Sequence, residues 1–145
     1  MEMVRLVKKM GPRFEYHYIV ASDDELSINK IPIKGHLHPI IRPTYPNSSL
    51  PHRLASTLAS FAQSVILVAR IQPRAALGNG PGLALAPLIA TRLMGGITVY
   101  IECMARTKTI SLTGRLVRPF THAFFVQWES LKRRYPETRF AGRIA

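Results

Sequence analysis

Apolar positions fall along the chain in short blocks set apart by polar or glycine- and proline-rich stretches, and the spacing within each block predicts its element. Met1 to Met10 reads as a short amphipathic helix with Arg5, Lys8 and Lys9 on its polar side. Phe14 to Val20, rich in aromatic and β-branched residues, predicts a strand. The acidic run from Ser22 to Asn29 then predicts a short helix capped by Asp23 or Asp24. Leu37 to Ile41 predicts another extended piece, and Pro43, Pro46, Asn47, Ser48, Ser49 and Pro51 mark a surface loop, the segment expected to be least ordered. Leu54, Leu58, Phe61, Val65 and Val68 recur at spacings of four and three. They predict a long helix ending near Arg70, with those five residues on the face that packs.

The second half repeats one alternation. Ala75 to Leu77 is a short apolar run followed at once by Gly78-Asn79-Gly80-Pro81-Gly82 and then by an apolar helical stretch, Leu83 to Met94. Ile97 to Ile101 predicts a strand, Ser111 to Val117 a short helix, Ala123 to Gln127 a strand, Trp128 to Arg133 a helix, and the segment holding Tyr135, Phe140 and Gly142 a last small strand. Strands that alternate with helices imply a parallel sheet with helices on both faces, an α/β Rossmann-like fold. A length of 145 residues fits a single domain covering 1–145.

Composition sharpens this picture. Twenty Lys and Arg against eight Asp and Glu leave a formal charge of +12, a field that attracts phosphate, diphosphate, nucleic acid or an anionic membrane. Cys103 is the single cysteine, so the chain holds no internal disulfide, thiolate zinc site or redox pair, and a reducing compartment fits best. The longest apolar stretch, Leu54 to Ile71, is interrupted by Ser56, Thr57, Ser60, Gln63, Ser64 and Arg70. It is expected to fall short of the ~20 apolar residues that span a bilayer. Met1 to Met10 lacks the apolar core of a signal peptide, so the glycosylation pattern Asn47-Ser48-Ser49 is not expected to meet that machinery.

Candidate chemistry gathers where strands end, because loops and helix N-termini present backbone N–H groups there. Asn79, Gly80 and Gly82 form a turn whose glycines let a phosphate or sugar approach the backbone; a purely structural turn is an equal alternative. Glu102 closes an apolar strand with Arg106 and Lys108 behind it. A carboxylate there could take a proton from a sugar hydroxyl or hold that hydroxyl, with Arg106 pairing a diphosphate, or Glu102 and Arg106 could simply pair with each other. Gln127 and Trp128 close the next strand, Trp128 reading more readily as a core lid than as a sugar platform. His36 and His38 share one side of an extended segment but show no third ligand nearby, so no metal site is expected. Asp23, Asp24 and Glu25 read as helix capping rather than an ion site. Arg115, Arg118, Lys132, Arg133 and Arg134 are not interleaved with aromatics as a base-stacking platform would be, and suit membrane phosphate at least as well.

Five short motifs stand in order along the chain: Ser27 to Ile31, Asn79-Gly80-Pro81-Gly82, Val99 to Glu102, Thr109 to Gly114, and Val126-Gln127-Trp128. Together they resemble the membrane-bound subunit of the two-component N-acetylglucosaminyltransferase that adds the second sugar to dolichol-diphosphate precursors, and its bacterial exopolysaccharide relatives. The resemblance implies the N-terminal, acceptor-binding half of a split GT-B glycosyltransferase. It implies Glu102 as candidate catalytic residue, and Asn79, Gly80, Gly82, Arg106, Ser111, Gln127 and Trp128 as acceptor- or diphosphate-binding residues. It also implies a small partner subunit that holds most of the UDP-sugar co-substrate, no resident cofactor or metal, no nucleic acid, and a peripheral place on the cytosolic face of a membrane, endoplasmic reticulum or plasma membrane according to source. Two departures accompany it. Family members usually carry a strand and a Gly-Gly-His loop just ahead of the position of Glu2-Met3, and many eukaryotic members carry an N-terminal membrane-spanning helix, neither of which stands in this sequence; Cys103 where serine is more usual is a milder change. The readings from other classes are a non-catalytic recruiter that docks the partner on the membrane and a basic RNA-binding α/β domain.

Overall fold

The computed structural model describes residues 2–43, 49–80 and 82–144. Pro81 of the glycine turn, and Asn47 and Ser48 of the glycosylation pattern and the predicted loop, lie outside them. The chain divides into two compact units, residues 1–64 and 65–145.

In the first unit, α1 (Glu2–Met10) is amphipathic as its pattern predicts, with Val7 buried and Lys8 and Lys9 exposed in its last turn. Strand β1 (His17–Ala21) pairs in parallel with β2 (His36–Ile40), His17 opposite His36 and Ala21 opposite Ile40. Between them lies α2 (Glu25–Ile28), capped by Asp24, whose carboxylate accepts from the Ser27 N–H at 3.0 Å and the Ser27 hydroxyl at 2.7 Å. Those two bonds hold the Asp24 carboxyl below its ordinary pKa. The cap therefore contributes above the ordinary carboxylate range and is lost as pH falls through the depressed value. Asp23 pairs with Arg42 instead, at 2.9 Å.

Helix α3 (Leu50–Ile71) starts four residues earlier than the periodicity suggests and runs for 22 residues. Two expectations change here. The sequence places Leu54, Leu58, Phe61, Val65 and Val68 on the packing face; Val68 is buried and Val65 half-buried, but Leu54, Leu58 and Phe61 are exposed, and the buried row is completed by Ser56, Ser60 and Ser64. Small side chains at spacings of four let a helix backbone approach its neighbours closely, so size decides the inward face here rather than polarity. The polar interruptions also fail to break the helix as an apolar segment. Thr57 donates its hydroxyl to the Arg53 carbonyl at 2.7 Å and Ser64 to the Ser60 carbonyl at 2.8 Å, so each hydroxyl is satisfied by the helix itself. By length and composition α3 is sufficient to cross a membrane, contrary to the sequence expectation.

The second unit carries a four-stranded parallel sheet in the order β3 (Ala75–Asn79), β4 (Ile97–Ile101), β5 (Ala123–Val126), β6 (Arg139–Phe140). With its intervening helices this is the α/β, Rossmann-like arrangement expected from the alternation of blocks. The apolar stretch predicted as one helix opens as a 3-10 turn, Gly82–Ala84, and becomes α4 only at Leu85–Leu93. Pro87 explains the position of that start: in the first turn of α4 its missing N–H breaks no helical bond. The remaining helices are α5 (Leu112–Val117) and α6 (Glu129–Arg134). Leu88, Tyr100, Ile110, Val117, Phe124, Val126 and Leu131 form the core, drawn from three helices, two strands and the loop that ends at Ser111.

The inverted face of α3 gives a direct test. Ser60→Leu, at a site only 3% exposed, should overpack and cost about 1–3 kcal/mol, whereas Leu58→Ser, at a site 70% exposed, should stay within about 0.5 kcal/mol. Urea unfolding followed by circular dichroism separates the two.

Candidate functional site

In the second unit the carboxyl ends of β3, β4 and β5 bring the three predicted groups together. Asn79 is the last residue of β3 and donates its side-chain N–H to the Ile101 carbonyl at 3.2 Å. Gly80 follows with φ +64°, a left-handed conformation that a side chain would strain. Its carbonyl accepts the hydroxyl of Tyr100 at 3.0 Å, and that hydroxyl also lies 3.3 Å from the Ser111 hydroxyl. Gly82 opens the 3-10 turn beyond, on the side of Thr113.

Glu102, one residue past β4, is wholly buried. One carboxylate oxygen accepts from the Cys103 N–H at 3.0 Å; the other accepts from the Ser111 N–H at 2.8 Å and the Ser111 hydroxyl at 3.1 Å. Ser111 in turn caps α5, its oxygen accepting from the Gly114 N–H at 2.9 Å. The absence of a side chain at Gly114 is a steric requirement, since a Cβ there would stand 2.5 Å from the Glu102 carboxylate. Among the described residues no cation lies within 4.0 Å of Glu102, so the predicted pairing with Arg106 does not form; Arg106 and Lys108 are both exposed.

Gln127 completes the network. Its side-chain N–H donates to the Glu102 carbonyl at 3.0 Å and its oxygen accepts from the Ile144 N–H at 2.8 Å, which ties the end of the chain to β4. Trp128 donates its indole N–H to the Met104 carbonyl at 2.7 Å, packs against the core, and carries the Arg143 guanidinium over its ring at 4.5 Å. Asn79, Gly80, Glu102, Ser111 and Gln127 thus share one hydrogen-bonded network, with Trp128 beside it and Arg106 outside it. The sequence reading missed Tyr100, which links the Gly80 turn to Ser111. Burial pushes its phenol up to about 12, so it remains a donor across the physiological range. Its signal was a phenol in the strand two residues before a strand-ending acid.

The basic cluster is more engaged than its composition suggests. Arg118 pairs with Glu137 and Arg133 with Glu129. Lys132 donates to the Pro136 and Thr138 carbonyls, and Arg134 to that of Lys108. An open depression of about 530 Å³ lies at the opposite end of β3 and β4, lined by Gln72 to Arg74 and Met94 to Ile97. It lies away from the strand ends where α/β sheets bind ligands.

In the first unit, His36 and His38 do meet further partners, against the sequence expectation. His17 stacks between them, 4.8 Å from His36 and 5.3 Å from His38, and Glu15 lies within reach of His17 and His36.

Parallel strands whose carboxyl ends gather an amide, an acid and a glycine turn define a Rossmann-like α/β protein. Comparison with known proteins makes this specific: residues 1–144 match the family described as oligosaccharide biosynthesis protein Alg14 like, and the chain belongs to that family. The UDP-N-acetylglucosamine transferase subunit ALG14 of Mus musculus is 33% identical, the match covering 99% of this chain and 76% of the relative. The subunit of the same name from Homo sapiens is 31% identical over the same shares, and that from Yarrowia lipolytica 28% identical over 97% of this chain and 74% of its own.

The network sets its own test. Glu102→Gln leaves a side-chain N–H facing donors and should cost about 1–3 kcal/mol, and Gly114→Ala should cost a similar amount by forcing the carboxylate aside. Equilibrium urea unfolding of both variants measures it.

Proposed function

We propose that this chain is the acceptor-side subunit of a heteromeric glycosyltransferase. In this reading it holds a lipid-diphosphate-linked sugar and brings a UDP-sugar-binding partner to the cytosolic face of a membrane. The observation that carries the reading is the near full-length similarity to relatives named as UDP-N-acetylglucosamine transferase subunits. The convergence of Asn79, Glu102 and Gln127 at the strand ends supports it from the structural side.

In this reading the acceptor lies over the Asn79–Gly80 turn and the end of β4, and the partner presents UDP-N-acetylglucosamine. The acceptor hydroxyl attacks the anomeric carbon, the bond to UDP breaks, and the hydroxyl proton leaves to base or water as UDP departs. The buried Glu102 carboxylate, already accepting three hydrogen bonds, acts by positioning Ser111 and the loop from Cys103 to Ser111. Asn79, Gly80 and Gly82 shape the surface under the sugar or diphosphate, Trp128 its far side with the buried Gln127 bracing it from behind, and Arg106, exposed on the loop, is available to a phosphate. No resident cofactor enters these steps.

The exposed row Leu54, Leu58, Phe61 and Ile66 on α3 supports contact with the membrane or with the partner. It equally favours the recruiter reading, in which docking is the whole task. The local engagement of Arg118, Lys132, Arg133 and Arg134 weighs against an RNA surface, which needs free cations.

Reconstitution with the UDP-sugar-binding subunit decides between these readings. Sugar transfer to a lipid-diphosphate-sugar acceptor is expected only with both chains present, and Asn79→Ala is expected to lower it by at least about tenfold with the fold and partner binding retained. Transfer by this chain alone overturns the two-chain reading; full activity of Asn79→Ala leaves recruitment as the function. Leu54→Asp combined with Leu58→Asp is expected to abolish co-sedimentation with phospholipid vesicles while leaving the far-ultraviolet circular dichroism unchanged.

A further inference from the structure

We propose that Glu15, His17 and His36 form a binding site for a divalent transition ion of the zinc class, built across the paired strands β1 and β2. Parallel pairing sets His17 directly opposite His36, and the two-residue period of β2 puts His38 on the same side as His36. Three imidazoles therefore stand in a row, His17 in the middle, with ring planes 23° from His36 and 8° from His38. Glu15, two residues before β1, reaches back to the same side.

The donor atoms are already gathered. The Glu15 carboxylate oxygen is 3.7 Å from His17 Nε2 and 3.5 Å from His36 Nε2, and one ligand atom from each residue lies within 4.8 Å of the others. A tetrahedral zinc site with metal–ligand distances near 2.0–2.1 Å separates its donors by about 3.3 Å. Two edges of the triangle are thus within a few tenths of an ångström of that spacing. The third closes by rotation about χ2 of histidine, a soft and broad torsion.

The remaining nitrogens fit the same assignment. His17 Nδ1 lies 3.0 Å from His38 Nε2. When His17 donates its Nδ1–H to His38, the His17 Nε2 lone pair is left facing Glu15 and His36, the tautomer a metal requires. A ligating histidine fixed by a hydrogen bond from its other nitrogen is the usual arrangement in metal sites. Two imidazoles and a carboxylate suit zinc-class ions better than magnesium or calcium, which prefer all-oxygen shells. The triad leaves a fourth position for water or for a donor from another molecule. It is also open, with side-chain exposures of 77% for Glu15, 26% for His17 and 62% for His36, so an ion enters without unfolding of the strands. Bound there it clamps the entry of β1 to the start of β2, a role independent of the strand-end network in the second unit.

Titration of the untagged full chain with Zn²⁺ against a chromogenic chelator tests this, with Co²⁺ absorption reporting coordination geometry. One equivalent is expected to bind saturably, with tetrahedral Co²⁺ bands and a raised thermal midpoint. Glu15→Gln, His17→Ala and His36→Ala are each expected to weaken binding by at least about tenfold, and His38→Ala, which removes the orienting acceptor, by about tenfold. His52→Ala, on exposed α3, should match the parent. Glu15→Gln changes a surface side chain, so it reports on binding even if a histidine variant misfolds. Absence of a saturable equivalent, or unchanged affinity in both Glu15→Gln and His36→Ala, overturns the site and leaves only the imidazole–carboxylate contacts in its place.

Discussion

A buried carboxylate, with no cation within 4.0 Å of it among the described residues, organises the second unit. Glu102 accepts from Cys103 and twice from Ser111, and through Ser111 it fixes the cap of α5. A charge removed from water is tolerable only when its lone pairs are filled, and backbone and hydroxyl donors do this as effectively as an arginine when their geometry is fixed. Gly114 is the steric counterpart, leaving the space the carboxylate occupies. The loop from Cys103 to Ser111 is long, yet both its ends are held by one side chain.

Tyr100 and Gln127 extend that constraint sideways. Tyr100 reaches from β4 to the Gly80 carbonyl, and Gln127 joins β5 to the Glu102 carbonyl and to Ile144. Three strand ends, the cap of α5 and Ile144 are therefore joined by one set of hydrogen bonds. Under the function proposed above, such a tied surface is what would orient a sugar hydroxyl toward a donor carried by a different polypeptide.

Much of this was legible in the residues. β4 falls where the apolar run Ile97 to Ile101 places it, and Asp24, one of the two acids offered as a cap, caps α2. The strand-ending residues Asn79, Glu102 and Gln127 were visible because strand ends carry ligands in parallel sheets. Their connections were not, since a periodic pattern says which face a residue occupies and nothing about which distant carbonyl it meets. One reading paired Glu102 with Arg106, four residues on, because sequence proximity is the only proximity a sequence displays; its actual donors are Cys103 and Ser111, one and nine residues away. His17 and His36 illustrate the same limit, nineteen positions apart in sequence and opposite one another in register. On α3 the error lay in the rule itself, which assumes that oily residues face inward.

The outward leucines of α3 make the behaviour of the isolated chain in water a poor guide to its behaviour in place. A helix with serines inward and leucines outward has its polarity reversed for an aqueous surround. In water such a face favours self-association or uptake of detergent, so a size measured there would report the helix's cover as much as a native stoichiometry.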